Sequence, residues 1–347
     1  MKHSLVESNA VTKITHGGQP SELEIGQMRN GHTTVFSTAE FINSWCRAFS
    51  ECEPVAIQVH GSGQDRTMHV VREPVRYAAS KISGPKPDDL WTSPGWSGEL
   101  SRSTVEHILH QMQRGFRTRT LRWQVRFDHE PLARMLSSLG LVPDRVQIHV
   151  LKLDRAYGDL FENYSATTRN HVRKAARRGV SVRSTSDAKD ILAYHSIYSK
   201  HAHNKGWGFA YPAQLTMDLV NMGEANACFK VAEYEGSVIG GALFLRDGNS
   251  IYYLHGVADR EFSHLYPATS VMDAGIQWAC ESGAGYLNLG NSGVGSVNES
   301  LATFKSSWGA HVEQNWLFDW ERPLWKFVSK LKSKVRSPKS TVLADPQ

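Results

Sequence analysis

Residues 228–257, CFKVAEYEGSVIGGALFLRDGNSIYYLHGV, decide the fold of this chain. They contain three apolar runs, separated by Glu-Gly at 235–236 and by Asp-Gly at 247–248. Asp-Gly between apolar runs is one of the strongest short-range signals of a hairpin, so the segment predicts a three-stranded antiparallel meander. A helix is predicted next at 268–283 and a short strand at 285–290, which is the order of a mixed α/β fold.

The first half of the chain follows a similar order, although the two halves share no obvious repeat of residues. A helix and a hairpin come first, and a helix, a strand, a second helix and a last strand follow. These elements are predicted at 38–49, 54–75, 103–116, 119–127, 130–140 and 146–153. We therefore expect two domains, with the chemistry in the second. The predicted divisions are a loose leader at 1–33, a degenerate first domain at 34–153, a catalytic domain at 154–321 and a basic amphipathic tail at 322–347.

Length and composition exclude several classes of protein. The chain has 347 residues, which is enough for two cores, and 40% hydrophobic with 21% charged residues is typical of a globular protein. The four cysteines are scattered without the spacing of a zinc site, so we expect reduced thiols and no metal. The amino terminus lacks the apolar region of a signal peptide, and no apolar run approaches the ~20 residues that span a bilayer. These patterns predict a cytoplasmic location, and the net charge of +5 favours an anionic partner.

Several segments of the second half resemble a known family. RNHVRKAARRGVSV at 169–182, GFAYP at 208–212, YYLHGVAD at 252–259, the segment 266–293 and LATFKSSWGA at 301–310 match it in order and spacing. The chain resembles the Fem-type transferases, a branch of the GNAT acetyltransferase superfamily. The resemblance implies two tandem GNAT-like acyl-CoA N-acyltransferase domains of mixed α/β fold. It also implies transfer of an acyl or aminoacyl group to an amine, from an acyl thioester such as acyl-CoA or from aminoacyl-tRNA.

One departure concerns the donor. GNAT enzymes hold the pyrophosphate of coenzyme A with a glycine-rich loop, because bare N–H groups at the start of a helix bind phosphate. Here the corresponding segment, EFSHLYPATS at 261–270, contains no glycine. Acyl-CoA is therefore only one of the donors to consider. Thr269 and Ser270 are expected to offer hydroxyl groups at the helix start instead.

Four residues are candidates for the chemistry of acyl transfer. Lys305 matches the Phe-Lys of the family motif, and we expect it to stabilise the oxyanion or a donor phosphate; the alternative is a surface lysine. Tyr253 and His255 are two residues apart on a predicted strand and so are expected to share a face, with His255 as a general base. The alternative for His255 is a histidine of the core. Glu299 is a second candidate base, or a charge at a helix start.

The candidate binding residues lie around the same predicted cleft. Basic side chains recur at i, i+4 and i+8 on the helix 165–178, which carries no acid, so they favour a phosphate-bearing donor or acceptor over a solvated face. Two asparagines end the strand after the long helix, where relatives often carry a carboxylate. Tyr211 alternates with Trp207 and Phe209 as an aromatic wall or as ordinary core. The binding candidates are Arg169, Arg173, Lys174, Arg177, Asn288, Asn291, Tyr211, Thr269 and Ser270.

The combined interpretation is an acyltransferase that modifies an amine on a cell-envelope or polysaccharide precursor, phosphorylated or lipid-linked. The second hypothesis is an aminoacyl-tRNA-dependent peptidyltransferase, which the lack of a heptad repeat disfavours. A third, of another class, is a non-catalytic protein that binds a phosphorylated ligand on a degenerate transferase fold. The basic tail after Arg322 is predicted either to contact the inner face of an anionic membrane or to be disordered.

Overall fold

The computed structural model describes residues 12–16, 35–59, 66–72, 120–206, 210–291 and 296–321, together with six positions between 102 and 110. The predicted tail at 322–347, most of the predicted helix at 103–116, and Trp207 and Phe209 of the aromatic wall lie outside these residues. Among the described residues, no helix combines the length and the apolar character needed to cross a bilayer.

In the first half, five strands and two helices are described, and we number the elements in chain order. They are β1 (Thr12–His16), α1 (Ala39–Ala48), β2 (Glu53–Val59), β3 (Arg66–Arg72), β4 (Thr120–Val125), α2 (Glu130–Ser138) and β5 (Pro143–Lys152).

The second half contains the predicted meander and its neighbours. Its elements are α3 (Tyr157–Asn163), α4 (Ala166–Arg177), β6 (Ser181–Ser184), α5 (Ala188–Asn204), α6 (Ala213–Val220), β7 (Ala227–Tyr234), β8 (Ser237–Asp247), β9 (Ser250–Ala258), α7 (Pro267–Glu281), β10 (Tyr286–Asn291), α8 (Ser296–Ser306) and β11 (His311–Glu321). Short 3-10 helices lie at 35–37 and 260–265.

The strands form two sheets. β1, β2 and β3 make a three-stranded antiparallel sheet in the order β1-β2-β3. The other eight make a mixed sheet in the order β4-β11-β5-β10-β9-β8-β7-β6, in which only the β9–β10 pair is parallel. The meander prediction is confirmed, since its first turn holds Glu235 and Gly236 at φ 49° and 75°, and Gly248 takes φ 60° in the second.

Apolar side chains pack on both faces of the large sheet. On one face, which we call the α7 face, Phe244 and Leu287 pack with Ile276 of α7. On the opposite face, which we call the α5 face, Leu243 and Tyr194 of α5 lie in a separate cluster that also takes in α1 and α6. The period-two alternation of a strand buried on both sides places neighbouring residues of β8 in different clusters.

Two expectations about the first half need correction or comment. The leader is not structureless, because Thr12–His16 pairs antiparallel with β2. The division between 153 and 154 stays a prediction, but the large sheet is continuous across it. β5, which precedes that point, lies between β10 and β11 and pairs with both. The helices α3 and α6 and the edge strand β6 were not predicted, and each is short.

Candidate active site

The two parallel strands β9 and β10 separate after a short pairing. They pair only at Tyr286–Ser250, Leu287–Ile251 and Asn288–Tyr252, although β9 continues to Ala258. Beyond Asn288 the register of β10 against β5 shifts, and Gly290 takes φ 74°, a left-handed conformation that suits glycine. We call the resulting opening between the carboxyl-terminal parts of the two strands the strand gap.

Lys305 lies at the β10 side of the strand gap. It is in the last turn of α8, its exposed fraction is 4%, and its Nζ donates a hydrogen bond of 2.8 Å to the carbonyl of Asn291. The surface-lysine alternative is therefore wrong. Buried His149 on β5 is a close neighbour: burial lowers its pKa, and the positive charge of Lys305 lowers that pKa further. A buried cation at a strand end is placed to stabilise negative charge, since low local polarity strengthens its field.

Tyr253 and His255 do not share a face, and this prediction was wrong. Leu243 of β8 pairs with His255, whereas the next residue, Phe244, pairs with Tyr253, so Leu254 is the extra residue of a β-bulge. The bulge reverses the alternation. Tyr253 packs on the α7 face against Phe244, while His255 points to the α5 face.

His255 is packed inside a polar and aromatic cluster on the α5 face. The hydroxyl of Tyr194 lies 2.8 Å from Nδ1, and Oγ1 of Thr216 lies 3.4 Å from Nε2. Burial first, and the neighbouring His195 second, lower the pKa of His255 to about 3. The ring is thus a neutral core histidine at ordinary pH, as the alternative interpretation had it. Tyr211 belongs to the same cluster, with its ring centroid 5.4 Å from that of His255.

The remaining polar candidates near the gap have different surroundings. Glu299 is exposed in the first turn of α8, in the position of a favourable helix-start charge. Asn288 is buried, and its Oδ1 accepts a 2.8 Å hydrogen bond from the N–H of Gly290, so this amide is used within the strand. Asn291 contributes its carbonyl to Lys305. The end of β10 therefore orients the Lys305 side chain through a backbone carbonyl.

Part of the basic series on α4 is bound within the protein. Arg169 donates to the carbonyls of Glu162 and Tyr164 at the end of α3. Arg173 lies 3.7 Å from the carboxylate of Glu162 and its guanidinium lies 5.2 Å from the ring centre of Phe161. The acid that the helix itself lacks is therefore supplied by α3, and Arg169 helps to terminate that helix.

The other end of α4 packs beside the start of α7. The His171 ring stacks on Tyr266 at 4.0 Å, and Arg178 donates to the carbonyl of His264. Within the described part of the chain, neither Lys174 nor Arg177 makes an ion pair or a side-chain hydrogen bond. These two cations are the members of the series that remain available to an external anion.

The start of α7 offers few donors for the pyrophosphate of coenzyme A. Its N-cap residue, Tyr266, takes φ 60° and makes no side-chain cap, and Pro267 has no N–H. The hydroxyl of Ser270 donates back to the carbonyl of Tyr266, which leaves the half-buried Thr269 as the one remaining hydroxyl of the expected pair. The residues present therefore do not fit the usual grip on coenzyme A. Over the described ranges, no group of three or more His, Cys, Asp or Glu side chains is arranged to hold a metal ion.

A buried ion pair joins the two halves and was missed from the sequence. Arg126, just after β4, donates from Nη1 to Asp247 at 2.8 Å and also binds Asp128. Asp247 is 2% exposed and accepts the backbone N–H of Val35 at 2.8 Å. His149 was missed as well, because a histidine in the alternating strand VQIHVLKL carries no signal of its neighbour on a distant helix.

Comparisons with known proteins agree with this fold. Residues 162–321 match the family described as acetyltransferase (GNAT) domain. A lipid II:glycine glycyltransferase of Staphylococcus saprophyticus subsp. saprophyticus is 31% identical over 112 residues, which is 30% of this chain and 27% of that protein. A UDP-N-acetylmuramoylpentapeptide-lysine N(6)-alanyltransferase of Weissella viridescens is 24% identical over 41% of this chain and 42% of its own length. The matches thus span less than half of these relatives.

Solved structures show the same architecture over most of the chain. FemX superposes with a TM-score of 0.69 at 13% identity, covering 91% of this chain and 99% of that one. A tandem GNAT protein from the clavulanic acid biosynthesis pathway superposes with a TM-score of 0.52 at 11% identity, covering 90% and 98%. At these identities the similarity shows the fold. The predicted GNAT-type mixed α/β fold is confirmed, residues 162–321 match the GNAT acetyltransferase domain, and the chain is similar over part of its length to transferases of lipid II and of a UDP-linked peptide.

Proposed function

We propose that this protein transfers an acyl group, and specifically an aminoacyl group, to an amine on a cell-envelope precursor. The observation that carries the proposal is the buried ammonium of Lys305, held at the strand gap by the carbonyl of Asn291 at 2.8 Å. The GNAT-type domain supports acyl transfer as the reaction class. The relatives named as glycyl- and alanyltransferases of lipid II and of a UDP-linked peptide support an aminoacyl group as the group transferred and a precursor of this kind as the acceptor.

The reaction needs negative charge to be stabilised on one oxygen. In the proposed donor, an aminoacyl-tRNA, the aminoacyl group is joined to a ribose oxygen of the tRNA by an ester bond. The acceptor nitrogen attacks the carbonyl carbon of that ester and forms a C–N bond. The C–O bond to the ribose then breaks, and the proton lost from the nitrogen ends on the ribose oxygen. The tetrahedral intermediate carries an oxyanion, and Lys305 is a buried cation bound to β10, one of the two strands that border the gap. Its hydrogen bond to a backbone carbonyl fixes it before the reaction, so little reorganisation is needed.

Lys174 and Arg177 support a donor that carries phosphates. They stand on α4, which packs against the start of α7, and both remain unpaired by the described residues. An aminoacyl-tRNA presents phosphates along its length, so it does not require a glycine-rich pyrophosphate loop at α7. If these two cations each contact a phosphate, the logarithm of the binding constant should fall with the logarithm of the salt concentration with a slope of about −1 to −2.

The proposal is tested by supplying each donor to the purified protein. Radiolabelled glycyl-tRNA and alanyl-tRNA are compared with acetyl-CoA, each with lipid II or the UDP-linked muramoyl pentapeptide as acceptor. Label transferred from an aminoacyl-tRNA to either acceptor supports the proposal. Transfer from acetyl-CoA alone would overturn the aminoacyl part, and binding of an acceptor without transfer from any donor would favour the non-catalytic hypothesis.

A further inference from the structure

We propose that Asn288 is a positioning residue, which holds the β10 backbone in the shape that presents the Asn291 carbonyl to Lys305. This inference rests on the proposed role of Lys305 in acyl transfer. Among the described residues, Asn288 makes its hydrogen bond to Gly290 and Lys305 makes its own to Asn291. Asn288 acts through the strand backbone between positions 288 and 291.

The first step is the bond within β10. The Oδ1 atom of Asn288 accepts the N–H of Gly290 at 2.8 Å, and Asn288 is 3% exposed. Between Asn288 and Asn291 the register against β5 shifts, and Gly290 takes φ 74°. The side-chain bond therefore closes the tight bend by which β10 leaves its regular pairing, and it satisfies an N–H that the irregular strand leaves out of the ladder.

The second step is the anchoring of the Asn288 side chain. Leu287 and Leu289 pack on the α7 face, so Asn288 between them points to the α5 face. There its cross-strand partner on the parallel strand β9 is Tyr252. Tyr252 is fixed in turn by the ring of Phe36, with centroids 4.9 Å apart at 86°. The Asn288 side chain is thus buried beside packed neighbours on the α5 face.

The third step connects the two faces of the sheet. Phe304 of α8 and Trp308 just after it pack on the α7 face, and Lys305 reaches the Asn291 carbonyl from that helix. Asn288 works from the opposite face, so the backbone from 288 to 291 is the connection between them. Loss of the Asn288 bond releases the bend, and the carbonyl that orients the lysine moves with it.

The test uses two readouts on the full chain. Asn288→Ala is expected to lower kcat about ten- to a hundredfold with KM little changed, since a buried N–H is left unsatisfied and the lysine loses its orientation. Asn288→Asp keeps an acceptor for the Gly290 N–H and should recover part of the activity. Tyr252→Phe changes the cross-strand neighbour but keeps the bond within β10, so its effect should be smaller than that of Asn288→Ala.

The second readout is independent of turnover. Lys305 is labelled with dinitrofluorobenzene and the rate is followed by peptide mass spectrometry, with Lys230, whose Nζ donates to Ser184 at 2.8 Å, as internal reference. We expect Lys305 to label several-fold faster relative to Lys230 in Asn288→Ala than in the wild type. An unchanged ratio in a folded Asn288→Ala overturns the inference. Should the alanine variant not fold, the same readout is taken on Asn288→Leu, which fills a similar volume without an acceptor for the Gly290 N–H. Absence of turnover in the wild type would instead count against the proposed function, because the labelling ratio does not depend on substrate.

Discussion

Replacement of Lys305 by methionine isolates the charge of the lysine from its volume. The thioether side chain has a similar length and suits a site that is 4% exposed. Lys305→Met leaves the carbonyl of Asn291 without its 2.8 Å donor, which costs about 1–3 kcal/mol, but it also removes a buried charge, which offsets part of that cost. We therefore expect the variant to fold, with Tm within a few degrees of the wild type.

The expected effect on catalysis is much larger than the effect on stability. Two unit charges about 4 Å apart interact by about 4 kcal/mol at the effective dielectric constant of about 20 that suits protein sites. Loss of one preorganised oxyanion donor costs about 3–4 kcal/mol in enzymes that acylate, which corresponds to a fall in kcat of about 10²–10³. KM should change little, since the oxyanion exists only in the transition state and the intermediate.

The assay is single-turnover transfer of label from aminoacyl-tRNA, with thermal denaturation of each variant alongside. Lys230→Met is the matched control, because that lysine also donates at 2.8 Å to a protein oxygen, but on β7 away from the strand gap. It should retain wild-type kcat. If folded Lys305→Met stayed within about threefold of the wild type, the oxyanion role would be refuted.

Three further predictions concern stability. Gly275→Ala should destabilise the protein by about 1–3 kcal/mol in urea unfolding, because the added Cβ would lie 2.1 Å from the ring of Phe244. Gln277 is an exposed residue of the same helix, and Gln277→Ala should have little effect. Asp247→Ala should cost about 1–3 kcal/mol, since the buried N–H of Val35 loses its acceptor and Arg126 keeps only Asp128 as a carboxylate partner. Asp218→Ala, which breaks a pair with the exposed Arg47, should cost less than about 1 kcal/mol, and equal losses would contradict this. Burial lowers the pKa of His195 to about 4 and that of His255 to about 3, below the value of about 6.5 in the unfolded chain. The unfolded chain therefore binds more protons than the fold between about pH 6.5 and 4. The free energy of unfolding should fall as the pH drops through this range, by up to about 1.4 kcal/mol per pH unit for each histidine. Urea unfolding at several pH values measures this slope. His255→Asn should roughly halve it. A free energy of unfolding that does not change over this pH range would show that these histidines are protonated in the fold.

The sequence predicted the meander and its flanking helix because their signals are local. The turn at 247–248 and the apolar runs beside it need no distant partner to be recognised. The bulge at Leu254 was missed since all its neighbours are apolar or aromatic, so a change of face leaves no trace in the pattern. One signal was present. Gly256 interrupts the strand, and a Cβ there would lie 2.5 Å from the hydroxyl of Tyr253, which is the close approach that a glycine inside a strand often marks.

The interpretation of the basic helix shows a different limit. Counting acids inside 165–178 found none, but Glu162 on the preceding helix lies 3.7 Å from Arg173. The angle between α3 and α4 decides which arginines are neutralised, and that angle depends on tertiary packing. Lys305 could be selected only through the family motif, because its burial follows from where α8 meets β10.

The strand order explains why the candidate site needs both halves of the chain. β5 ends the first predicted half, yet it supplies Ile148 as the partner of Asn291 and Val150 as the partner of Asn288. Without it, the bend of β10 that carries the Lys305 hydrogen bond would lie at an open sheet edge with unpaired N–H and C=O groups. The Arg126–Asp247 pair is a second link between the two halves, since it joins the end of β4 to the end of β8. The first half is therefore part of the large sheet, and the geometry of the strand gap depends on residues from both sides of position 153.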